Sequence, residues 1–246
     1  MLTSYTCIMK KSLITTIALI ALLNGYAQNS IIHDPNAQVH PVKNFSAISV
    51  SGDIDLYLSQ GNEDAVAVSA SETTHRDRIR TQVENNELKI WYDGKGLNFS
   101  SGNKKLKAYV SFKNISKLSA SGASNVHVNG AIKGNELAIH LTGASDFKGA
   151  VDIDKLSLYQ TGASDMTVSG KASNVHIEAV GASSVKGYTL ETQNCTIKAT
   201  GASDIKITVH KELTANATGA SSISYKGNGV IREVHSSGAS SVNKKS

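Results

Sequence analysis

Carboxylates that follow a recurring Gly-Ala-Ser motif are the residues best placed to bind a metal ion. Asp146 and Asp165 follow successive copies, so stacked repeats would bring them side by side, and carboxylates are ligands for Ca²⁺. Calcium takes about six to eight oxygens, and an Asx or Ser residue at a corner more often bonds the local backbone. Other copies carry Asn125, Ser184, Asp204, Ser222 and Ser241 here. We therefore favour a structural role, with calcium at Asp146 and Asp165 as the alternative.

The histidines and serines do not have the spacing of known metal-binding or catalytic motifs. The eight histidines are dispersed, without a metal-ligand motif such as His-Glu-x-x-His. No Ser-His-Asp arrangement stands out, and the motif serines recur too often for one of them to be a nucleophile. We predict no catalytic residue, no cofactor and no dedicated metal site, and hence a protein that is not an enzyme.

Trp91, Tyr92 and Phe99 form an aromatic group with two interpretations. Aromatic rings can form a platform on which sugars stack, but aromatics at alternating strand positions are usually core residues. We favour the core.

Residues 1–27 have the features of a secretory signal peptide. Two lysines precede an apolar stretch from Leu13 to Leu23, and Gly25 and Ala27 suit signal cleavage. The stretch is short for a transmembrane helix, which needs about 20 apolar residues. We predict export to the periplasm, the outer-membrane surface or the medium, without an integral membrane anchor.

The exported chain is predicted to begin with a flexible segment, residues 28–41, and to carry no lipid, because Cys7 lies ahead of the apolar stretch. Cys195 is then its single cysteine, which cannot form an internal disulfide. We predict that Cys195 is a buried small hydrophobe rather than a nucleophile.

The charge balance gives no indication of a nucleic-acid partner. The formal net charge is +5, and without the two signal-peptide lysines 23 basic side chains face 20 acidic ones. The charges are scattered singly, and no basic run is interleaved with aromatics.

Seven copies of Gly-Ala-Ser divide the second half of the chain. Apolar and polar residues alternate around each copy, which is typical of a β-strand with one buried face. An alternating run of about 13 residues is too long for an ordinary strand, so we expect the chain to bend at the glycine. With successive spacings of 21, 19, 19, 20, 18 and 19 residues, the glycines are Gly122, Gly143, Gly162, Gly181, Gly201, Gly219 and Gly238.

The alternation also predicts which side chains point inward. The glycines and the motif serines are assigned inward positions, and the serine hydroxyls are expected to bond one another or the corner backbone. The serine ladder is Ser124, Ser145, Ser164, Ser183, Ser203, Ser221 and Ser240. The predicted apolar core is Leu137, Ile139, Leu141, Leu158, Ile177, Ile197 and Leu213 before the glycines, and Val126, Phe147, Met166, Val185, Ile205 and Ile223 after them.

Such a repeat is one coil of an all-β fold, a single-stranded parallel β-helix or β-solenoid with coils of about 19 residues. Neighbouring coils stack about 4.8 Å apart and share one core. We predict a solenoid over residues 42–243, of which 116–243 are the repeat coils. Segments such as 129–135 are expected to be turns on the outside of the coil.

Residues 42–115 are predicted to be degenerate coils that cap the edge of the stack. Apolar residues from Ile48 to Leu58 alternate around a Ser-Gly pair and predict a first coil. Residues 88–92 and 106–110 predict two more strands, and the charged segment 72–82 predicts the only short helix.

The layout resembles the GIN-domain family, the head domains of auto-transporter adhesins, over most of the exported chain. The resemblance rests on Phe45–Ile54, the Leu88-Lys89-Ile90 strand, the serial Gly-Ala-Ser-Asp/Ser motifs and Tyr225-Lys226-Gly227. It implies a right-handed parallel β-helix and supplies no catalytic residues.

Two functions are compatible with these features. The first is a non-enzymatic, adhesin-like module of the cell envelope, whose rigid coil displays small outward residues to a glycan, a protein or a second copy of itself. These outward residues are Thr142, Thr161, Thr200 and Thr218, beside Ala144, Ala163, Ala202 and Ala220. The alternative is a polysaccharide lyase or hydrolase on a β-helix scaffold, but the repeats concentrate no acidic and basic residues on one face.

Overall fold

Alternating apolar and polar residues form strands along most of residues 34–94 and 104–246, which the computed structural model describes. The predicted signal peptide and Phe99 lie outside these residues. One helix, α1, is described. The strands are β1 (Gln38–His40), β2 (Ala47–Ser51), β3 (Asp55–Gln60), β4 (Ala65–Ser69), β5 (Ile79–Glu84), β6 (Glu87–Tyr92), β7 (Lys107–Phe112), β8 (Lys117–Ser121), β9 (Asn125–Gly143), β10 (Asp146–Gly162), β11 (Asp165–Gly181), β12 (Ser184–Gly201), β13 (Asp204–Gly219), β14 (Ser222–Lys226), β15 (Val230–Gly238) and β16 (Ser241–Lys244), and α1 is Thr73–Arg76.

The repeats stack as parallel coils, so the predicted β-solenoid is confirmed. Strands β9 to β13 pair in parallel order, and the glycine that ends each strand lies beside the glycine of the next, as Gly143 lies beside Gly162. One repeat therefore fills one coil, and each position of the repeat becomes a straight row of equivalent residues along the stack.

The predicted core is confirmed as well. All of the apolar residues assigned to it are at most 2% exposed. Around each glycine corner the register between coils keeps these residues in line, as Leu158 pairs with Ile139 and Ile177, because a shift by one residue would turn the set to solvent.

The outer part of each coil is more regular than the predicted turns. Residues 129–135 lie inside the continuous strand β9, and Ile132 is fully buried. Ile132 pairs with Val151 of the next coil, and Ile153 pairs with Ala172 further on. The two pairs belong to two further inward rows, so the expectation of outside turns is wrong at this point.

The inward assignment of the glycines is also wrong. Gly181 is half-exposed and the other six motif glycines are exposed, whereas the residue two positions before Gly181, Ala179, is fully buried. The glycines stand at the apex of the corner with φ between +77° and +99°, a left-handed conformation that glycine adopts without steric cost. The bend predicted at the glycine is thus present, but it carries the glycine out of the core.

The serine ladder faces inward as predicted. The first six serines of the ladder are at most 1% exposed, and Ser240 in the last coil is half-buried. Each hydroxyl donates to the carbonyl oxygen three residues earlier, at 2.6–3.4 Å. Ser183 also contacts the Gly162 carbonyl of the preceding coil at 3.4 Å. The corner backbone therefore satisfies the buried hydroxyls.

The amino-terminal coils do not follow chain order. Strand β2 lies between β6 and β8, and β3 lies between β7 and β9. The coil made by β2 and β3 is therefore enclosed between a coil built from β6 and β7 and the first repeat coil. The predicted coil at Ile48–Leu58 and both predicted strands are present, in this order.

Antiparallel strands close the amino-terminal edge of the stack. Strand β4 pairs with β7, β1 pairs with β4, and β5 pairs with β6. Strand β1 falls within residues 28–41, which the sequence predicts to be flexible. The helix predicted over residues 72–82 is limited to Thr73–Arg76, because the next residues form β5 and alternate between the two faces of a strand. Among the residues described, no helix has the length and apolar character to cross a membrane.

Candidate functional site

The outward side chains before the glycine corner form straight rows along the repeat coils. We call this surface the ladder face and define it by the outward residues of segments 136–142, 155–161, 174–180, 194–200 and 212–218. Strand register aligns these residues, as in the row from His140 through Tyr159 and Glu178 to Lys198. A partner on this face would therefore meet a straight and periodic array of groups.

A strip of small residues borders the ladder face at the corner. Thr142 and Thr161 are exposed, Thr200 and Thr218 are half-buried, and the alanines beside them are exposed. Each of these alanines donates its N–H to a glycine carbonyl of the preceding coil at 2.7–2.8 Å. The outward position of the strip agrees with the prediction, and the hydrogen bonds hold its backbone in place.

Three rings form an aromatic ladder on this face. The His140 and Tyr159 rings stack with their centroids 4.6 Å apart and their planes 12° apart. The His176 ring lies 5.7 Å from Tyr159 and is tilted by 55°. All three side chains are half-buried. Because the stacked rings cover each other's faces, they present mainly their edges, with the ring nitrogens and the phenol group, to solvent.

Charged groups continue the row beyond the rings. Lys198 lies 2.8 Å from Glu178, and this hydrogen bond holds the pKa of the Glu178 carboxyl below its usual value. Burial lowers the pKa of His140, and the positive charge of Lys117 adds to the effect. The ladder face thus offers imidazole nitrogens beside an ion pair and hydroxyl groups, which is a surface suited to hydrogen bonding.

A second ladder lies on the face that follows the corner. Tyr57 stacks on Tyr109 and on His127, with 5.2 Å between ring centroids in each pair. The Tyr109 hydroxyl donates to Asp34 at 2.8 Å, and burial together with this contact raises the pKa of Tyr109. The hydrogen bond ties Tyr109 to the segment that leads into β1, whereas the rings of the ladder face are more openly placed on the repeats.

The carboxylate row lies on the same face as the second ladder. Asp146 and Asp165 are neighbours in register, and Lys186 already lies 3.5 Å from Asp165. Asp204 pairs with Lys206 at 2.6 Å. Within residues 34–94 and 104–246, His, Cys, Asp and Glu side chains form no group of three or more that could hold a metal ion.

The predicted aromatic group divides between core and surface. Tyr92 packs against the core, and its hydroxyl lies 2.9 Å from His75 Nδ1. Trp91 is half-buried on the outer side of β6, the side opposite to buried Ile90, so the core assignment is wrong for Trp91. Adjacent residues of a strand point to opposite faces, and Tyr92 occupies the inner one.

The ladder face was missed by reasoning from single residue types. His140 and Tyr159 each stand three residues before a motif glycine, and His176 stands five residues before Gly181. Aligning the repeats on their glycines would have placed the first two in one outward row. The tilted contact with His176 crosses between rows, and only the structure reveals it.

The stacked parallel coils define the class of the fold as a β-solenoid. The model of the family described as "Putative auto-transporter adhesin, head GIN domain" matches residues 44–229. The chain therefore belongs to this family.

Solved structures support the same fold. A "putative adhesin" from Bacteroides fragilis is 20% identical with a TM-score of 0.76, covering 85% of this chain and 96% of that one. A "putative adhesin" from Parabacteroides merdae is 20% identical with a TM-score of 0.65, covering 85% and 95%. A "putative lipid binding protein" from Parabacteroides distasonis is 19% identical with a TM-score of 0.65, covering 85% and 96%. Comparison with functionally curated proteins finds no match.

Proposed function

We propose that the protein is an exported, non-enzymatic, adhesin-like module that binds a glycan of the cell envelope through the ladder face. The observation that carries this proposal is the straight, register-held array of ring edges, hydroxyls and charges beside the corner strip. A repetitive polar surface suits a repetitive polar ligand. Membership of an adhesin head-domain family supports the adhesin-like role.

The distribution of apolar residues favours a glycan over a protein. Protein interfaces usually centre on buried aromatic or aliphatic anchors. In the described residues the exposed large hydrophobics are Val39 in β1 and three residues of β15, and none of them lies on the ladder face. The ladder face therefore supplies hydrogen-bonding groups without an exposed aliphatic anchor, and its rings present mainly their edges.

Binding to glycan arrays, followed by titration of the best glycan, tests the proposal. Tyr159→Ala and His140→Ala are expected to weaken binding at least about tenfold, because each removes a ring edge from the array. Tyr57→Ala is the matched control, since it removes a stacked ring from the other face. Glycan arrays that remain negative with folded protein, or an equal loss of binding in Tyr57→Ala, would contradict the proposal.

The absence of catalysis is part of the same proposal. Some parallel β-helices cleave acidic polysaccharides, so a turnover assay on uronic-acid polymers is the direct test. Detectable lyase or hydrolase activity would overturn it.

Protease treatment of intact cells distinguishes the surface, where the protein would be degraded, from the periplasm, where it would be protected.

A further inference from the structure

The last coil of the stack leaves apolar side chains in solvent. Val230, Ile231 and Val234 of β15 are 69%, 46% and 38% exposed. The register places Ile231 beside Leu213 and Val234 beside Ala215, and both of these partners are buried. Ile231 and Val234 therefore continue inward rows of the core, although no further coil of the described residues covers them.

The two ends of the stack differ in their exposed strand edges. Strands β1, β4 and β5 run antiparallel over the amino-terminal edge, whereas β15 pairs with β13 and with no other described strand on its outer side. An open edge with apolar inward residues is a template for another strand. Strands β1 and β5 also have one edge without a described partner, but pairing of β15 with β15 of a second copy is isologous and therefore closes into a two-fold dimer instead of extending into a filament.

The sequence of β15 is complementary to itself in the antiparallel direction. In a regular strand, residues three apart point to opposite faces. The register shift in β15 makes Arg232 an extra residue, so that Ile231 and Val234 both point inward. A two-fold axis between Arg232 and Glu233 would therefore place Ile231 opposite Val234 of the second copy and Arg232 opposite Glu233 of that copy. Apolar groups meet inside, and opposite charges meet outside.

We propose that the protein forms a two-fold dimer in which β15 pairs antiparallel with β15 of a second copy. The pairing covers Ile231 and Val234 and satisfies the open strand edge. This dimer is independent of the ladder face, which lies on the outer surface of the preceding coils, so glycan binding and dimerisation are separable.

Sedimentation velocity of the purified protein over a range of concentrations tests the dimer. We expect a reversible monomer–dimer equilibrium. Val234→Lys is expected to raise the dissociation constant of the dimer at least about tenfold, because an inward-pointing lysine blocks edge pairing. Val39→Lys, an exposed valine on β1 at the capped end, is the matched control and is expected to dimerise like the wild type.

A charge reversal distinguishes intersubunit pairing from a local defect in β15. The side chains of Arg232 and Glu233 are 71% and 59% exposed, so their substitution leaves the core intact. Arg232→Glu is expected to weaken the dimer, and Arg232→Glu/Glu233→Arg to restore it, because opposite charges meet again across the axis. Both variants lose the Arg232–Glu212 ion pair, and the double variant also loses the Glu233–His235 contact, so neither loss within the chain explains a dimer that only the double variant restores.

A wild-type protein that stays monomeric at all concentrations overturns the proposal. So does a dimer that Val234→Lys leaves unchanged, a dimer that Val39→Lys disrupts equally, or a failure of the double charge reversal to restore association. Circular dichroism of each variant verifies that the coils remain folded.

Discussion

Gly181 stands at a corner with φ of +96°, and a β-carbon built on it would lie 2.6 Å from the carbonyl oxygen of Gly162. The same clash with the preceding coil recurs at Gly143, Gly162 and Gly201. Two requirements therefore coincide at each of these four corners, a left-handed backbone and a close approach between stacked coils. Both exclude side chains although the corner faces solvent.

Gly181→Val is expected to destabilise the protein by at least about 3 kcal/mol, since a left-handed non-glycine residue alone costs about 1–3 kcal/mol and the clash adds to this cost. Ala182→Ser, at the next and exposed position, should change stability by no more than about 0.5 kcal/mol. Thermal melting followed by circular dichroism compares the two. Equal melting temperatures would show that the corner tolerates a β-carbon.

Cys195 is expected to resist thiol reagents in the folded protein. The side chain is 3% exposed, and burial raises the pKa of its thiol to about 12, so almost no reactive thiolate is present at neutral pH. Labelling in native buffer should be slow, and labelling in denaturant should be complete. Rapid native labelling would contradict the burial of Cys195 that both the alternating sequence and the structure indicate.

At the scale of elements, two partly buried histidines, His140 of the aromatic ladder and His40 of β1, make the stability of the fold depend on pH. Burial lowers the pKa of His140, with a contribution from Lys117, and burial together with Arg76 and Arg80 lowers the pKa of His40. As the pH falls below about 6.5, the usual pKa of histidine, these two histidines therefore take up protons in the unfolded chain before they do so in the folded protein. Stability is lost between that pH and the lower folded-state pKa values, and is retained above it.

We expect the melting temperature to fall as the pH is lowered through this window. The fall should be smaller in His140→Gln and smaller again in His140→Gln/His40→Gln, because glutamine takes up no proton. Melting curves measured at closely spaced pH values test this dependence. Profiles of the two variants that superimpose on the wild-type profile would contradict it.

The repeat coils could be predicted from sequence because their information is local. Alternation around each glycine defines which residues of a coil point inward, and equal spacing aligns one coil with the next. The bend at the glycine follows from the length of the alternating run. The outward position of the glycine does not, since period-two alternation cannot show where a left-handed residue interrupts the strand.

The strands of the amino-terminal coils could be predicted, but their order in the stack could not. Strand β2 pairs with β8, about 70 residues further along the chain, and with β6 on its other side. No repeat marks these partners, so chain order suggests a different stack from the one observed. The ladder face required the register of five coils, and sequence reasoning considered only the threonines among its outward residues.

At the scale of the whole molecule, antiparallel strands lie over the amino-terminal end of the described stack, whereas β15 and β16 form its last coil. We expect removal of the two ends to have unequal consequences. Removing residues after 229 takes away β15 and β16 and exchanges one open edge for another. Removing residues before 116 takes away the antiparallel cap and the coil that covers β8 and β9. Leu118 and Val126, now at most 1% exposed, would then lie at an open edge.

We expect a chain that ends at residue 229 to remain folded, with a melting temperature within about 5 °C of the full chain, since stability in a solenoid is approximately a sum over coils and their interfaces. A chain that begins at residue 116 should melt at least about 10 °C lower or aggregate, because it combines the loss of several interfaces with two open edges. Circular dichroism melting and light scattering of both fragments measure the difference. If the chain beginning at residue 116 stays monomeric and melts like the full chain, the repeat coils are stable without the amino-terminal cap, and the out-of-order strands would have to serve a purpose other than terminating the stack.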